Sequence, residues 1–171
     1  MGKRLFVTGH RPDAVGGYGE EAQQHLEKVA LRSLEILQPE EVIAGMALGW
    51  DTAIAHACCA LGIPFIAAIP FLGQEKRWSE EAQAIYHRLL VKAKWVVVVN
   101  TPPYAAWKMM ARNTAMITWG EEGLALWDEN KKDGGTAQCV KTALKAGKPM
   151  HNAWGIYSGE SEELSPIKKV V

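Results

Sequence analysis

Short, almost continuously apolar runs alternate with segments of helical period, and this alternation constrains the fold more than any other feature. The runs occupy residues 4–9, 41–46, 64–70, 95–100 and 123–128. Such runs are typical of strands that a parallel sheet buries on both faces. Between them, apolar residues recur every three or four positions, which predicts helices over residues 20–38, 51–61, 79–93, 105–118 and 136–146.

A last strand is predicted over residues 149–156. Because strands and helices alternate along the chain, the sequence predicts a Rossmann-like, doubly wound α/β fold. Its sheet is expected to be mostly parallel, with about six strands and helices on both faces. The 171 residues, 48% of them hydrophobic, suit one such domain over residues 1–157. The polar segment 158–171 is expected to be a mobile tail.

The balance of charge limits the expected partners. Lysine plus arginine and aspartate plus glutamate each number 19, so the net charge is zero. A neutral chain has no overall field that attracts nucleic acid or an anionic membrane, although a local basic site is still allowed. The three cysteines, two of them adjacent, are a poor disulfide framework. Residues 1–4 lead straight into a strand rather than a signal peptide, so a cytoplasmic protein with reduced thiols is expected.

Most of the unusual residues follow the carboxyl ends of the predicted strands, whereas loops at the opposite edge are ordinary turns. In doubly wound sheets, ligands bind beyond the carboxyl ends of the strands, near the point where strand order reverses. The candidate ligand-binding residues in these loops and in the helices beside them are Gly9, His10, Arg11, Gly45, Gly49, Trp50, Trp78, Arg112, Asn113, Asp133, Gly134, Gly135 and Thr136.

Two of these loops have the composition of an anion site. The segment DGGT at residues 133–136 stands directly before a predicted helix, whose N-terminal amides and partial positive charge attract anions. The segment GHR at residues 9–11 follows the first strand, and the Arg11 guanidinium can form paired hydrogen bonds with a phosphate. The alternatives are a plain turn in which Thr136 caps the helix, and a surface salt bridge for Arg11.

Several aromatic and helical residues have more than one interpretation. Trp50, Trp78 and Tyr104 can stack on a nucleobase, or can pack in the core. Arg112 and Asn113 lie in a predicted helix, where Arg112 either reaches a phosphate or a neighbouring subunit, or belongs to a solvated face. The side of this helix that is expected to face inward consists of Trp107, Met110, Thr114 and Ile117.

Asp51, after the second strand, is the carboxylate with the best position for chemistry. It is a candidate catalytic residue or, like Asp133, a partner for ribose hydroxyls, and its simpler role is to cap the helix that begins there. The histidines and cysteines do not have metal-ligand spacing. No metal or other cofactor is therefore identified, and a nucleotide is the suspected ligand.

Six pieces of the sequence, in their order along the chain, resemble the YpsA-like branch of the SLOG superfamily, which includes the SMF/DprA and LOG proteins. They are VTGHRP at 7–12, GMALGWD at 45–51, PF at 70–71 with Gln74 and Trp78, Tyr86, RNTAM at 112–116 and DGGTAQCV at 133–140. The resemblance implies a Rossmann-like fold that binds a nucleotide or nucleotide-derived ligand at the first loop and at the glycine–threonine helix start. It also implies a homo-oligomer.

The sequence differs from the LOG enzymes of this superfamily at the position of their catalytic glutamate. LOG-type proteins cleave the N-glycosidic bond of nucleoside 5′-monophosphates and carry the motif PGGxGTxxE, in which the glutamate performs the chemistry. Three residues after Thr136, this chain has Cys139. The main hypothesis is therefore that the chain binds or senses a nucleotide. The alternatives are an N-glycosidase that uses Asp51, and an accessory protein that binds single-stranded DNA as DprA-like proteins do.

Overall fold

A seven-stranded sheet forms the central layer of the computed structural model, which describes residues 3–168. Residues 1–2 of the predicted N-terminal segment and residues 169–171 of the predicted tail lie outside the described residues. The strands are β1 (Arg4–Gly9), β2 (Glu41–Ala44), β3 (Phe65–Ile69), β4 (Trp95–Val98), β5 (Glu122–Leu126), β6 (Met150–Asn152) and β7 (Ser165–Pro166). Their spatial order is β4-β3-β2-β1-β5-β6-β7, and all pairs are parallel except β6 with β7.

Helices cover both faces of this sheet. They are α1 (Glu20–Leu37), α2 (Trp50–Leu61), α3 (Glu80–Lys92), α4 (Ala106–Trp119), α5 (Gly135–Lys145) and α6 (Trp154–Ser158). α1, α2 and α3 bury Leu26, Ile54 and Leu89 in a core on one face. α4 and α5 bury Met116 and Val140 in a second core on the other face. The predicted Rossmann-like α/β fold is therefore confirmed, with seven strands rather than about six.

Local signals set several of the helix ends. The Ser79 hydroxyl accepts a hydrogen bond from the N–H of Ala82 at 3.1 Å and begins α3, as its position ahead of two glutamates predicts. α2 ends at Gly62, whose φ of 71° is a conformation that glycine adopts without strain. Within residues 3–168, none of the helices combines the length and the apolar character that crossing a membrane requires.

The last parallel strand is shorter than the predicted strand over residues 149–156. β6 ends at Asn152, whose buried side chain forms hydrogen bonds with the end of β5 and with the start of α6. Its Oδ1 accepts hydrogen bonds from the N–H groups of Trp127 and Trp154, each at 3.1 Å, and its Nδ2 donates to the carbonyl of Trp127 at 2.9 Å. These bonds turn the chain into α6, so the apolar residues after Asn152 form a helix rather than more strand.

The segment after Tyr157 also contributes to the sheet. Residues 165–166 form β7, which pairs with Asn152 and His151 of β6, and Ile167 is buried against the second core. The domain that the structure describes therefore extends to residue 168, beyond the predicted boundary at 157.

The strand order creates a crevice near the middle of the sheet. The chain proceeds from β1 outward through β2, β3 and β4, and then returns to β5 on the other side of β1. α1 and α5, which follow β1 and β5, pack on opposite faces. The loops after these two neighbouring strands consequently diverge, and a ligand crevice opens between them.

Candidate functional site

A cleft of about 1020 Å³ lies at the carboxyl edge of the sheet, across this crevice. Its volume is at the upper end of the roughly 300–1,000 Å³ that is usual for small-molecule sites. Ten of the thirteen predicted ligand-binding residues line the cleft, together with the candidate catalytic residue Asp51. The ten are Gly9, His10, Arg11, Trp78, Arg112, Asn113, Asp133, Gly134, Gly135 and Thr136. The remaining predicted residues, Gly45, Gly49 and Trp50, lie beneath it.

Trp50 is a core residue. Its side chain is fully buried and packs against Gly9, where an added Cβ would lie 2.5 Å from the ring carbon Cδ1. The ring therefore offers no face to a nucleobase, and the interpretation of Trp50 as a stacking residue is corrected. Gly9 is required because the β1 backbone runs directly over this indole.

Gly45 and Gly49 also serve packing rather than ligand approach. An added Cβ at Gly45 would lie 2.5 Å from Nη1 of Arg112, so only glycine leaves room for this guanidinium. Gly49 precedes α2 with a φ of 90°, and a Cβ there would lie 3.1 Å from the carbonyl oxygen of His10. Both glycines let the β2 loop pass close to groups that form the floor of the cleft.

The start of α5 is open, in contrast to these packed glycines. Gly134 is the residue that caps the helix, with a φ of 96°, and no side chain caps the first turn. An added Cβ at Gly134 or Gly135 would meet nothing within 4 Å. Thr136 lies inside the helix, so the alternative in which its side chain caps the turn does not hold. The first amides of α5 are therefore available to an anion in the cleft.

His10 joins the β1 loop to the β5 loop. Its Nε2 lies 3.0 Å from the backbone nitrogen of Asp128. Since a backbone N–H can only donate, Nε2 accepts, and the ring is held in the neutral form. Burial lowers the pKa of His10, and the nearby charge of Lys131 lowers it further. The ring also packs edge-on against Trp154, with the two centroids 5.9 Å apart.

Arg11 is exposed at the rim of the cleft, directly after His10. No acidic side chain within residues 3–168 forms a salt bridge with it. The alternative of a surface salt bridge therefore does not apply to the described chain, and the guanidinium is free to turn toward a ligand.

Arg112 lies at the floor of the cleft and is only 3% exposed. Its Nη1 donates to the carbonyls of Gly45 at 2.6 Å and Ala68 at 3.1 Å, and its Nε donates to Oδ1 of Asn113 at 2.9 Å. The interpretation of Arg112 as part of a solvated face is corrected, because this buried side chain ties α4 to the ends of β2 and β3. Burial lowers the pKa of Arg112, and Asp51 opposes that change.

The inward side of α4 accordingly differs from the prediction. The buried residues are Lys108, Arg112, Met116 and Ile117, whereas Trp107 is exposed. Lys108 is tolerated there because its Nζ donates to the carbonyls of Thr101 and Pro103, each at 2.8 Å. A buried charge that has carbonyl partners can replace an apolar residue on the inward side of a helix.

Asp51 is buried beside Arg112 and is the second residue of α2. Its Oδ2 accepts a hydrogen bond from the N–H of Ala47 at 3.2 Å, so it secures the β2 loop instead of capping the helix at Gly49. Burial raises the pKa of Asp51, and the charge of Arg112 partly offsets this effect. A carboxyl group with a raised pKa thus lines the cleft.

The far half of the cleft contains residues beyond the thirteen predicted ligand-binding residues. The loop after β3 supplies Phe71 and Gln74, the loop after β4 supplies Tyr104, and α4 supplies Met110. Gln74 donates from Nε2 to the Gly45 carbonyl and to the Tyr86 hydroxyl, each at 3.3 Å. The sequence signals for these residues are the loops after strands for Phe71, Gln74 and Tyr104, and helical periodicity for Met110. Among residues 3–168, no group of three or more His, Cys, Asp or Glu side chains is placed to hold a metal ion.

Comparison with known proteins finds relatives in sequence and in fold. Residues 5–157 match the model of the YspA SLOG family (YpsA). A UPF0398 protein of Brevibacillus brevis is 28% identical over 157 residues, which cover 85% of this chain and 82% of the relative.

Two solved structures show the same fold at low sequence identity. The DNA processing protein A (DprA) of Streptococcus pneumoniae has a TM-score of 0.63 and 18% identity, over 92% of this chain and 54% of DprA. DprA of Helicobacter pylori, whose structure was described for its mode of binding single-stranded DNA, has a TM-score of 0.61 and 18% identity, over 87% of this chain and 64% of that protein. The chain thus spans about half to two thirds of these DprA chains.

Proposed function

The chain belongs to the YspA SLOG family, and we propose that its cleft binds a nucleotide or nucleotide-derived ligand, with the phosphate between the β1 loop and the start of α5. The observation that carries this proposal is the uncapped and unobstructed first turn of α5 at Gly134 and Gly135, in the same cleft as the unpaired Arg11. Because β1 and β5 are adjacent, both groups can contact one anion.

The chemistry of this end of the cleft suits a phosphate. Backbone amides at a helix start donate hydrogen bonds in the direction of the helix dipole, and an arginine adds a full positive charge. Hydrogen bonds to charged groups contribute about 1.5–3 kcal/mol each. His10, held neutral by the Asp128 amide, fixes the loop that carries Arg11 without placing a second charge beside it.

The remaining parts of a nucleotide would extend across the cleft. Asp51 at the floor and Asp133 at the rim are the proposed partners of ribose hydroxyls. Trp78 is the tryptophan proposed to contact the base, since its half-buried ring lines the cleft and is fixed edge-on by Tyr86, with centroids 5.2 Å apart. An aromatic ring held in this way can stack on a base with little loss of side-chain entropy.

Binding without cleavage is favoured by the residue at the position of the LOG glutamate. Cys139 is buried, and burial raises the pKa of its thiol to about 11. A neutral thiol cannot act as the carboxylate that would stabilise an oxocarbenium-like sugar or activate water. The chain therefore lacks the group on which the LOG reaction depends.

A second candidate function rests on Asp51. Its raised pKa and its place in the cleft are features of a general acid, so an N-glycosidase that uses this carboxyl group is the alternative. In that case Asp51→Asn would abolish turnover while leaving binding intact.

One experiment separates these functions. The purified protein is incubated with a pool of nucleotides, and the retained and released species are read by mass spectrometry, with a single-stranded oligonucleotide in a parallel sample. We expect an intact nucleotide to be retained by the wild type and by Arg32→Ala, an exposed arginine on α1, but lost from Arg11→Ala.

Other outcomes would contradict the proposal. A free base and a sugar phosphate that accumulate with time would indicate the hydrolase. Salt-sensitive retention of the oligonucleotide, with no nucleotide retained, would instead favour the DNA-binding function that is described for DprA.

A further inference from the structure

β4 is an apolar strand that the described chain leaves uncovered. It forms one edge of the sheet, and its contacts are with β3, while no helix of the described chain packs closely on it. Trp95 is 62% exposed, and Val96 and Val98 are exposed as well. Parallel sheets normally have both faces covered, so this edge departs from the rest of the fold.

The register shows that both faces of β4 are open. Trp95 is aligned with Ile66, which belongs to the face that α4 and α5 cover. Val96 and Val98 are aligned with Ala67 and Ile69, on the face of α1 to α3. Val91, at the end of α3, is 87% exposed and precedes this strand by four residues. We call Val91, Trp95, Val96 and Val98 the β4 edge patch.

The two edges of the sheet differ in whether another segment protects them. At the far edge, β7 pairs antiparallel with β6, and Ile167 packs into the core beside it. At the β4 edge, no segment within residues 3–168 pairs with the outer side of the strand. Exposed edge strands usually carry a lysine or another charge that prevents pairing. Here the run from residue 95 to residue 107, WVVVVNTPPYAAW, has no charged residue.

The charges that flank β4 favour one particular partner. Lys94, which precedes the strand, is held by Glu41 through an ion pair of 2.8 Å and so does not reach over the edge. In an antiparallel pair of two β4 strands, each Lys94 would face the neutral end of the other strand, near Val99 and Asn100. A parallel pair would place the two lysines side by side. An apolar patch is also complementary to itself, as a twofold interface requires.

We infer that two copies of this chain form a dimer by antiparallel pairing of their β4 strands across a twofold axis. With about 200 Å² for an aromatic side chain, Trp95 alone exposes roughly 120 Å² for a partner to cover. The valines of the β4 edge patch and the flanking surfaces of α3 and α4 extend this area on each copy. The pairing would join the two sheets into one and leave the clefts separate.

Charge-swap variants test this dimer. Val96→Lys/Val98→Lys places two positive charges on each patch, and Val96→Glu/Val98→Glu places two negative ones. We expect the wild type to sediment as a dimer, each double variant alone as a monomer, and an equal mixture of the two variants as a heterodimer. Ile36→Lys/Leu61→Lys, on exposed positions of α1 and α2, is the matched control and should remain dimeric.

The mixture also shows that the variants fold, because unfolded chains would not form a specific heterodimer. Hydrogen exchange of the wild type gives an independent readout: the amides of residues 95–98 should become protected as the concentration rises through the dissociation constant. A wild type that stays monomeric over about 1–100 µM would overturn the inference. A dimer that both charge variants leave unchanged would overturn it equally.

Discussion

At the scale of the residue, Arg112 carries a positive charge into the floor of the cleft and holds three segments together. Its guanidinium bonds to the carbonyls of Gly45 and Ala68, which end β2 and β3, while its Cα belongs to α4. The absence of a side chain at Gly45 makes this approach possible. The shape of the cleft therefore depends on one pair of residues, a glycine and an arginine that are far apart in sequence.

Arg112→Met should destabilise the protein by about 2–4 kcal/mol, because it removes charged hydrogen bonds and leaves buried carbonyls with fewer partners. Denaturant unfolding measures this change. Arg88→Met, on the exposed side of α3, is the control and should alter the free energy of unfolding little. Equal stability of the two variants would show that Arg112 does not hold the floor.

Two glycines of the cleft should respond oppositely to alanine. Gly9→Ala should cost about 1–3 kcal/mol, because the new methyl group would overlap the ring of Trp50. Gly135→Ala, where the Cβ meets nothing within 4 Å, should leave the stability unchanged or slightly higher. The measurement is the midpoint of thermal unfolding. Equal losses of stability in Gly9→Ala and Gly135→Ala would contradict the difference in packing between the two positions.

His10 should make the stability depend on pH. The pKa of His10 in the folded protein lies below the ordinary 6.5. The folded state therefore binds a proton on His10 more weakly than the unfolded state does. The contribution of His10 is therefore complete above pH 6.5 and declines as the pH falls below that value. Between about pH 7 and pH 5, the wild type should lose more stability than His10→Gln. Equal losses for the wild type and for His10→Gln would contradict this role of His10.

At the scale of the element, the ends of strands and helices are set by single polar side chains. Asn152 ends β6 by bonding to the backbone of Trp127 and Trp154, and Lys108 secures the loop after β4 through two carbonyls. Both side chains are buried. The elements could be predicted from apolar periodicity, but these boundaries depend on partners that are distant in sequence.

Asn152→Ala should lower the free energy of unfolding by about 2–4 kcal/mol, since it removes three hydrogen bonds and leaves the buried Trp127 backbone without its partner. Chemical denaturation provides the measurement. Asn130→Ala, in the exposed loop after β5, is the comparison and should change the stability by much less. A loss below about 0.5 kcal/mol for Asn152→Ala would contradict this role.

At the scale of the whole molecule, the order of the strands accounts for the position of the cleft. The parallel sheet could be predicted because its strands are continuous apolar runs, and the carboxyl edge follows from the α/β rule. The roles of individual loop residues could not be predicted in the same way. Trp50 and Gly134 both stand beside helix starts after strands, yet one is buried under β1 and the other faces open space.

Arg112 illustrates the same limit for charged residues. A prediction from helical periodicity places arginine and lysine on the outward side of a helix. In α4, Lys108 and Arg112 face inward because backbone carbonyls of neighbouring segments accept their hydrogen bonds. The residues that supply these carbonyls cannot be identified from the sequence around α4. The buried side of α4 can therefore be assigned only from the folded structure, in which the strand ends lie next to the helix.

The proposed phosphate site lies between the β1 loop and the first turn of α5, and amide NMR during a titration with adenosine 5′-monophosphate is the sharpest test of it. We expect saturable shifts that are largest at the amides of His10, Arg11, Gly134, Gly135 and Thr136, and that weaken in Arg11→Ala. Shifts confined to the loop at residues 71–78, or no saturable shift at the α5 start with any nucleotide of the pool, would contradict it.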